Sequence, residues 1–289
     1  MNTDTLVEDI YKLVATKEVG EHIDFDDAVE TFGENIKELM RSEFGAKRAH
    51  DSRRLRLSLT GRTDKYIWNQ YNGSEGEEID SPTYVKFLYG HVIEELLLFL
   101  TKAAGHTVTS EQKVCKAAGI VGHMDCAIDG VVTDVKSASV YGFKKFKAGT
   151  LAADDPFGYV GQIKAYAHSE GVKQYGWLAM DKQNGHLTYL KYDEEDVDHP
   201  MYEHISYDII ERLEHVKEMV NGPEPVETCY PTEEDGKSGN TKLAMGCGFC
   251  QYKAHCYPTL RTFEYAWGNK HLVDVIKTPR VNEVIPDEF

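Results

Sequence analysis

The chain has 289 residues, of which 41% are hydrophobic, and this length can bury one substantial core with additions at both ends. Its net charge of −16 argues against a protein that simply coats nucleic acid, because affinity without sequence preference comes mostly from phosphates neutralised by Lys and Arg. The longest apolar run, 96–100, is far shorter than a membrane span, and residues 1–9 are acidic rather than basic. We therefore expect a cytoplasmic protein without signal peptide or membrane contact.

Helical periodicity dominates the N-terminal part of the chain. Apolar residues recur at helical spacing within residues 1–45, beginning with Leu6, Ile10 and Leu13. Ser81-Pro82 begins a strongly apolar helix that Gly105 ends. Residues 1–80 are therefore predicted to form a helical accessory region.

The middle of the chain alternates between strand and helix signals. Alternating or β-rich runs predict strands at residues 106–115, 120–128, 131–139, 175–181 and 186–192. Helices are predicted over about 156–169 and 199–220, the second ending at Asn221-Gly222-Pro223. This order predicts an α/β fold, in which a mixed central sheet is flanked by helices and residues 81–222 form the core.

A two-residue turn places two carboxylates side by side. Asp129-Gly130 is typical of a tight hairpin turn, because both positions of a type I′ turn need positive φ. Counting outward from that turn pairs Asp125 with Asp134, and His123 with Lys136, on the same face of the hairpin. Residues paired in this way have Cβ atoms roughly 5 Å apart.

Paired carboxylates repel each other, and a divalent cation removes that penalty. Lys136 follows Asp134 by two residues, so it can orient an attacking water or stabilise negative charge on phosphorus. A solvated polar face is the alternative interpretation. A cationic strip follows the hairpin and can bind phosphate over roughly 10 Å despite the acidic exterior. It consists of Lys144, Lys145 and Lys147.

Two helices supply further candidates. Gly90, Glu94 and Glu95 interrupt an otherwise apolar helix, where a carboxylate can reach over the sheet to the cation. An amphipathic helix with both glutamates in solvent is the alternative. Gln162 and Tyr166 are four residues apart and share one helical face.

These segments resemble, in this order, the RecB-like branch of the PD-(D/E)XK nucleases, which also contains lambda exonuclease and the CRISPR-associated four-cysteine nucleases. The resemblance spans about residues 84–258 and rests on Gly90-x-x-x-Glu94, Gly122-His123-Met124-Asp125, Asp134-Val135-Lys136 and Gln162-x-x-x-Tyr166. Residues 55–58 and 155–159 also look like tailed-phage members of this family. The resemblance implies a restriction-endonuclease-like core.

The resemblance also implies an activity, the hydrolysis of DNA phosphodiester bonds. Mg²⁺ or Mn²⁺ would be held by Glu94, Asp125, Asp134 and the backbone carbonyl of Val135, with His91 as the alternative to Glu94. Gln162 and Tyr166 would contact DNA near the scissile phosphate. We expect an exonuclease, or less readily an endonuclease, that serves phage replication or recombination with phage proteins, or host DNA breakdown. The rival is a catalytically inactive nucleic-acid or protein-binding module that keeps the nuclease fold.

A cysteine cluster marks residues 223–289 as a metal-binding tail. Cys247, Cys250 and Cys256 have C-x2-C-x5-C spacing, which turns three sulfurs toward one point. The same spacing resembles the iron–sulfur members of the branch, although here no cysteine precedes Gly90, and Cys229 is the nearest fourth ligand. We expect a structural [4Fe-4S] cluster, with Zn²⁺ as the alternative and His255 as a reserve ligand.

Overall fold

We describe the protein from a computed structural model that covers residues 2–20, 22–45 and 53–284. The described residues fall into two compact units. An N-terminal unit contains those within 2–45, 55–61 and 81–214, and a C-terminal unit contains those within 53–54, 62–80 and 215–284. The division by role into residues 1–80, 81–222 and 223–289 remains a prediction.

The helices occur in both units, and none of those described is both long and apolar enough to cross a bilayer. They are α1 Leu6–Thr16, α2 Phe25–Phe44, α3 Asp64–Asn72, α4 Ser81–Ala103, α5 Val140–Ala148, α6 Tyr159–Glu170, α7 Tyr202–Ile205, α8 Ile209–Met219, α9 Met245–Gly248 and α10 Lys253–Cys256. Short 3-10 turns lie at Leu57–Leu59 and Leu151–Ala153.

The strands of the described residues form two five-stranded sheets and one hairpin. They are β1 Val108–Thr109, β2 Val114–Ala117, β3 Ile120–His123, β4 Cys126–Ile128, β5 Val131–Ala138, β6 Gln174–Asp181, β7 Leu187–Asp193, β8 Glu233–Glu234, β9 Thr241–Lys242, β10 Arg261–Tyr265, β11 Gly268–Asp274 and β12 Glu283–Val284. The N-terminal unit holds the sheet of order β1-β4-β5-β6-β7 and the β2-β3 hairpin. The predicted mixed sheet is confirmed, because β5 and β6 are parallel while the neighbouring pairs are antiparallel.

The central sheet separates two hydrophobic cores. Val132 and Trp177 point to the face covered by α5 and α6, whereas Val135 and Leu178 point to the face covered by α1 and α4. This follows from the alternation of side chains along a strand. The predicted arrangement of helices flanking the sheet is therefore confirmed. Asp134 and Lys136 lie two and four residues after Val132, so their side chains point to the same face of the sheet as Val132.

The predicted hairpin turn is also confirmed. Ile128 pairs with Val131, and the two turn residues have positive φ, 47° at Asp129 and 84° at Gly130. Glycine is needed most at the second position, where a side chain would meet strain.

Beyond the turn, the predicted pairing is wrong. The ladder between β4 and β5 ends at Cys126 and Thr133, and His123 pairs with Val114 of β2 rather than with Lys136. The predicted strand 120–128 is broken at Met124 and Asp125, because β3 and β4 belong to different sheets.

Two further elements are shorter than predicted. The strand expected at 106–115 is limited to β1 and the start of β2, since Ser110 and Gln112 have positive φ of 56° and 51° and turn the chain. The long helix expected over 199–220 begins at Tyr202 and is interrupted between α7 and α8. Asp208 caps the start of α8, because its carboxylate accepts a hydrogen bond of 2.7 Å from the Ile210 amide.

The C-terminal unit contains a sheet that the sequence did not predict. Its strand order is β12-β10-β11-β9-β8, and Phe263 and Leu272 are fully buried on it. Asn240 is also buried, and its side-chain oxygen accepts hydrogen bonds of 2.8 Å from the Ile276 and Lys277 amides. The C-terminal sheet is therefore stabilised by a small hydrophobic core and by the hydrogen bonds of the buried Asn240 side chain.

Candidate active site

Asp134 is the buried centre of the candidate site. It lies on β5 and is 1% exposed. Its Oδ1 accepts a hydrogen bond of 3.1 Å from Gln162 Nε2. Its Oδ2 forms an ion pair with Lys136 Nζ at 2.7 Å and has no other partner among the described residues. Asp134 therefore keeps lone-pair capacity in a buried position.

Asp125 occupies the place that a pairing strand would fill. Since β4 ends its ladder at Thr133, no described strand pairs with β5 on that side beyond this residue. The Val135 amide at this edge donates a hydrogen bond of 2.8 Å to Asp125 Oδ2. The N–H and C=O groups of one strand residue point to the same side, so the Val135 carbonyl faces this edge as well.

Glu94 reaches the same place from α4. Its Oε1 accepts a hydrogen bond of 2.8 Å from Gln112 Nε2. Glu95 points elsewhere, because its carboxylate accepts a hydrogen bond of 2.9 Å from Asn35 on α2. His91 is exposed. Gly90 lies beside Ser137, and an added Cβ there would lie 3.4 Å from Ser137 Oγ. This is an ordinary van der Waals distance, so an alanine would also fit at this position.

Electrostatics show that these groups act on one another. Burial raises the pKa of Glu94 to about 8, and the negative charge of the Asp125 carboxylate is the second cause. Burial also raises the pKa of Asp134 to about 7, where Asp125 adds to the effect and Lys136 opposes it. Burial alone would lower the pKa of Lys136, but the Asp134 and Asp125 carboxylates raise it overall. The site is thus a carboxylate cluster with too little positive charge.

Helix α6 brings Gln162 and Tyr166 to the cluster. Gln162 Nε2 also lies 3.3 Å from the Tyr166 hydroxyl, so one amide connects Asp134 and Tyr166. Burial raises the pKa of Tyr166, and Asp134 is the next cause. Gly122 makes room for this arrangement, because an added Cβ would lie 2.8 Å from Leu57 Cβ and 3.0 Å from Tyr166 Cε1.

Two residues at the site were not predicted from the sequence. The Lys136 Nζ lies 4.8 Å from the ring centroid of Tyr159. Tyr159 precedes Gln162 by three residues, so its helical spacing could have identified it. Gln112, which holds Glu94, lies in an irregular turn, and no local pattern marks it.

One of the three lysines of the cationic strip is already engaged within the protein and is less available to bind phosphate. Lys145 Nζ lies 2.6 Å from Asp154 Oδ2 and donates to the Asp154 carbonyl at 2.7 Å. Lys144 and Lys147 are exposed. Much of the charge of Lys145 is therefore neutralised within the protein.

The four cysteines of the tail all lie in the C-terminal unit. Burial raises the pKa of Cys247 to about 12, and the charges of Cys229, Cys250 and Cys256 contribute next. Burial likewise raises the pKa of Cys250 to about 11. Across the described ranges, however, no three His, Cys, Asp or Glu side chains are already arranged to hold a metal ion. The sulfurs are thus near enough to affect one another without forming a finished binding geometry.

Comparisons with known proteins give only distant likenesses. No protein-family model and no curated protein sequence matches the chain. An alkaline exonuclease from Laribacter hongkongensis is 13% identical, with 64% of this chain and 94% of that chain covered and a TM-score of 0.38. The same exonuclease in complex with dAMP is 13% identical, with 59% and 91% covered and a TM-score of 0.38.

A third solved structure, described as SSO0001, is 10% identical. It covers 79% of this chain and 95% of its own, with a TM-score of 0.40.

Proposed function

We propose that this protein is a divalent-metal-dependent nuclease of the PD-(D/E)XK type. The observation that carries the proposal is the buried carboxylate of Asp134, held between Gln162 and Lys136 with Asp125 and Glu94 close by. A purely structural site would pair each buried charge, because an unpaired buried charge is costly. Acidic groups that raise one another's pKa in a partly closed site are typical of functional sites.

The oxygen donors present are of the type that a hard divalent cation prefers, although within the described ranges the carboxylates, like the cysteines, are not yet arranged as a three-ligand site. Asp134 Oδ2 is buried beside the Lys136 ammonium, with no other partner among the described residues, and the carboxylates of Asp125 and Glu94 add oxygen donors, which Mg²⁺ and Mn²⁺ prefer. We propose that these three side chains and the Val135 carbonyl hold the ion. When bound, such an ion neutralises negative charge on a phosphate and lowers the pKa of a water.

The surrounding side chains position the reacting groups. Lys136 stays protonated beside Asp134, so it can orient the attacking water and stabilise charge that develops on phosphorus. Gln162 fixes the rotamer of Asp134. The reaction forms a bond from water oxygen to phosphorus and breaks the opposite P–O bond, leaving a phosphate monoester and a free hydroxyl group.

We further propose that the enzyme is an exonuclease acting on phage or host DNA, in replication, recombination or DNA breakdown. This step rests on the motif resemblance, in which Gln162 and Tyr166 belong to a branch with many exonucleases. Gln162 bonds to Asp134 and Tyr166 lies against Gln162, and we propose that both act next to the scissile bond.

A second, structural metal centre is proposed in the C-terminal unit. Four thiols whose charges affect one another supply the donor set of a [4Fe-4S] cluster or of Zn²⁺. Of these, we propose the cluster, with Zn²⁺ as the alternative. His255 is a weaker candidate, because its Nε2 lies 3.2 Å from Glu224 Oε1.

The decisive assay compares end-labelled linear DNA with covalently closed circular DNA, with and without Mn²⁺. We expect linear DNA to be degraded only with the metal, and closed circles to resist. Rapid cutting of closed circles would favour an endonuclease. Binding without cleavage under every metal condition would favour the inactive binding module.

A further inference from the structure

Aromatic side chains are exposed on the face of α4 that carries Glu94. Tyr84 and Phe87 are 59% and 52% exposed, and their rings form an edge-to-face pair with centroids 6.3 Å apart. Phe87 precedes Glu94 by seven residues, so the two side chains leave nearly the same side of the helix, about 10 Å apart along its axis. An exposed apolar surface thus leads up to the proposed metal ligand.

A second aromatic pair lies at the start of α6, on the face of the sheet opposite α4. The ring of Tyr159 lies beside Lys136, and Phe157 stacks on Tyr159 with centroids 5.6 Å apart and ring planes at 23°. Phe157 is 36% exposed. The carboxylate cluster is therefore flanked by one exposed aromatic residue on each side, Phe87 and Phe157.

Charge favours bases over phosphates as the main partners of this surface. The chain has a net charge of −16, and two lysines of this region are already paired, Lys136 with Asp134 and Lys145 with Asp154. Phosphate neutralisation by these two lysines can then supply little of the affinity. The faces of nucleobases are uncharged and stack on exposed aromatic rings.

We propose that Phe87 and Phe157 stack on nucleobases on the two sides of the scissile phosphodiester bond. The inference rests on the proposed nuclease function and assigns residues that bind its substrate. Because a paired and stacked base has no free face to offer, the substrate that fits is a single strand or the unpaired end of a duplex. Affinity then depends on bases more than on salt.

Binding can be measured apart from cleavage, using the full-length Asp134→Asn protein and fluorescence anisotropy of a labelled single-stranded oligodeoxynucleotide. In this background Phe87→Ala and Phe157→Ala should each weaken binding about tenfold. Phe25→Ala is the matched control, since it removes a ring that is 43% exposed on α2 and contacts Phe99. It should leave the affinity unchanged.

The same question can be asked without altering the aromatic residues. An oligonucleotide with abasic residues keeps every phosphate and loses its stacking faces. It should bind the Asp134→Asn protein about tenfold more weakly than the intact strand, and the difference should shrink when Phe87 and Phe157 are both replaced by Ala. The affinity for the intact strand should also fall only shallowly with salt.

Equal affinity for abasic and intact strands would overturn the proposal. So would a Phe87→Ala protein that dissociates from an oligomer in light scattering and keeps its DNA affinity, because the α4 surface would then be a contact between protein chains. Cleavage is scored separately with the otherwise unaltered enzyme. A protein that prefers intact strands and never cleaves them refutes the nuclease function and leaves the stacking proposal standing.

Discussion

The amide nitrogen of Gln162 donates a hydrogen bond of 3.1 Å to Asp134 Oδ1 and lies 3.3 Å from the Tyr166 hydroxyl. This bond fixes one carboxylate oxygen and leaves the other directed toward Lys136. Outer partners of this kind set the orientation of a metal ligand, and their loss is typically felt in both metal affinity and rate.

Replacing Gln162 should therefore weaken the site without removing a proposed ligand. We expect Gln162→Leu to lower metal affinity or kcat by about 10- to 100-fold. Gln174→Leu is a matched control, because Gln174 donates a comparable bond of 2.8 Å to Asp193 on the exposed end of β6. Metal titrations of cleavage rate measure the effect, and equal behaviour of the two variants would contradict it.

Two adjacent glutamates on α4 allow a substitution inside the proposed site to be compared with one outside it. Glu94 is held by Gln112 within the carboxylate cluster, whereas Glu95 is held by Asn35 of α2. Glu94→Gln should reduce cleavage by at least about 100-fold, since it removes a charged oxygen that is a proposed metal ligand. Glu95→Gln should stay within about threefold of the unaltered enzyme, because its side chain makes an ordinary hydrogen bond outside the site. The assignment of Glu94 fails if Glu95→Gln is the more damaging change in side-by-side rate measurements.

Asp134→Asn should remove activity and keep the fold. Loss of this proposed central ligand should slow cleavage by about a thousandfold or more. The variant keeps the volume of the side chain, and an uncharged group suits a buried position in which burial and Asp125 already raise the pKa of the carboxyl. Circular dichroism and cleavage with Mn²⁺ check the two parts, and substantial activity in the folded variant would contradict the site.

Loss of the proposed cysteine centre should affect the stability of the protein rather than catalysis. A four-thiolate metal site can supply on the order of 10 kcal/mol of apparent free energy, comparable to the stability of a domain. Cys250→Ser should therefore lower metal content and melting temperature together, and activity should fall only as folded protein is lost.

The control for the cysteine prediction is Cys115→Ala, which removes a buried thiol from β2 in the other unit. It can lower the melting temperature but should keep the metal content. Elemental analysis after purification without oxygen identifies the metal, with about four irons for a cluster or about one zinc for the alternative. If no metal co-purifies and Cys250→Ser melts like the unaltered protein, the shared centre does not exist.

Local sequence determined the elements whose causes are local. The Asp129-Gly130 pair defined its own turn through positive φ. The apolar helix from Ser81 to Ala103 also followed from periodicity and its flanking residues. These features depend on backbone preferences within a few residues.

Tertiary structure decided which side chains meet. Counting outward from the turn placed His123 opposite Lys136, but β3 leaves the central sheet and His123 pairs with Val114. That departure opens the edge of β5, and it lets the Asp125 carboxylate bind the Val135 amide. Strand pairing is a contact between distant segments, so a pattern along one strand cannot show where its partner departs. For the same reason, the rotation of α4 that turns Glu94 rather than Glu95 toward the carboxylates was fixed only by packing against the sheet and α2.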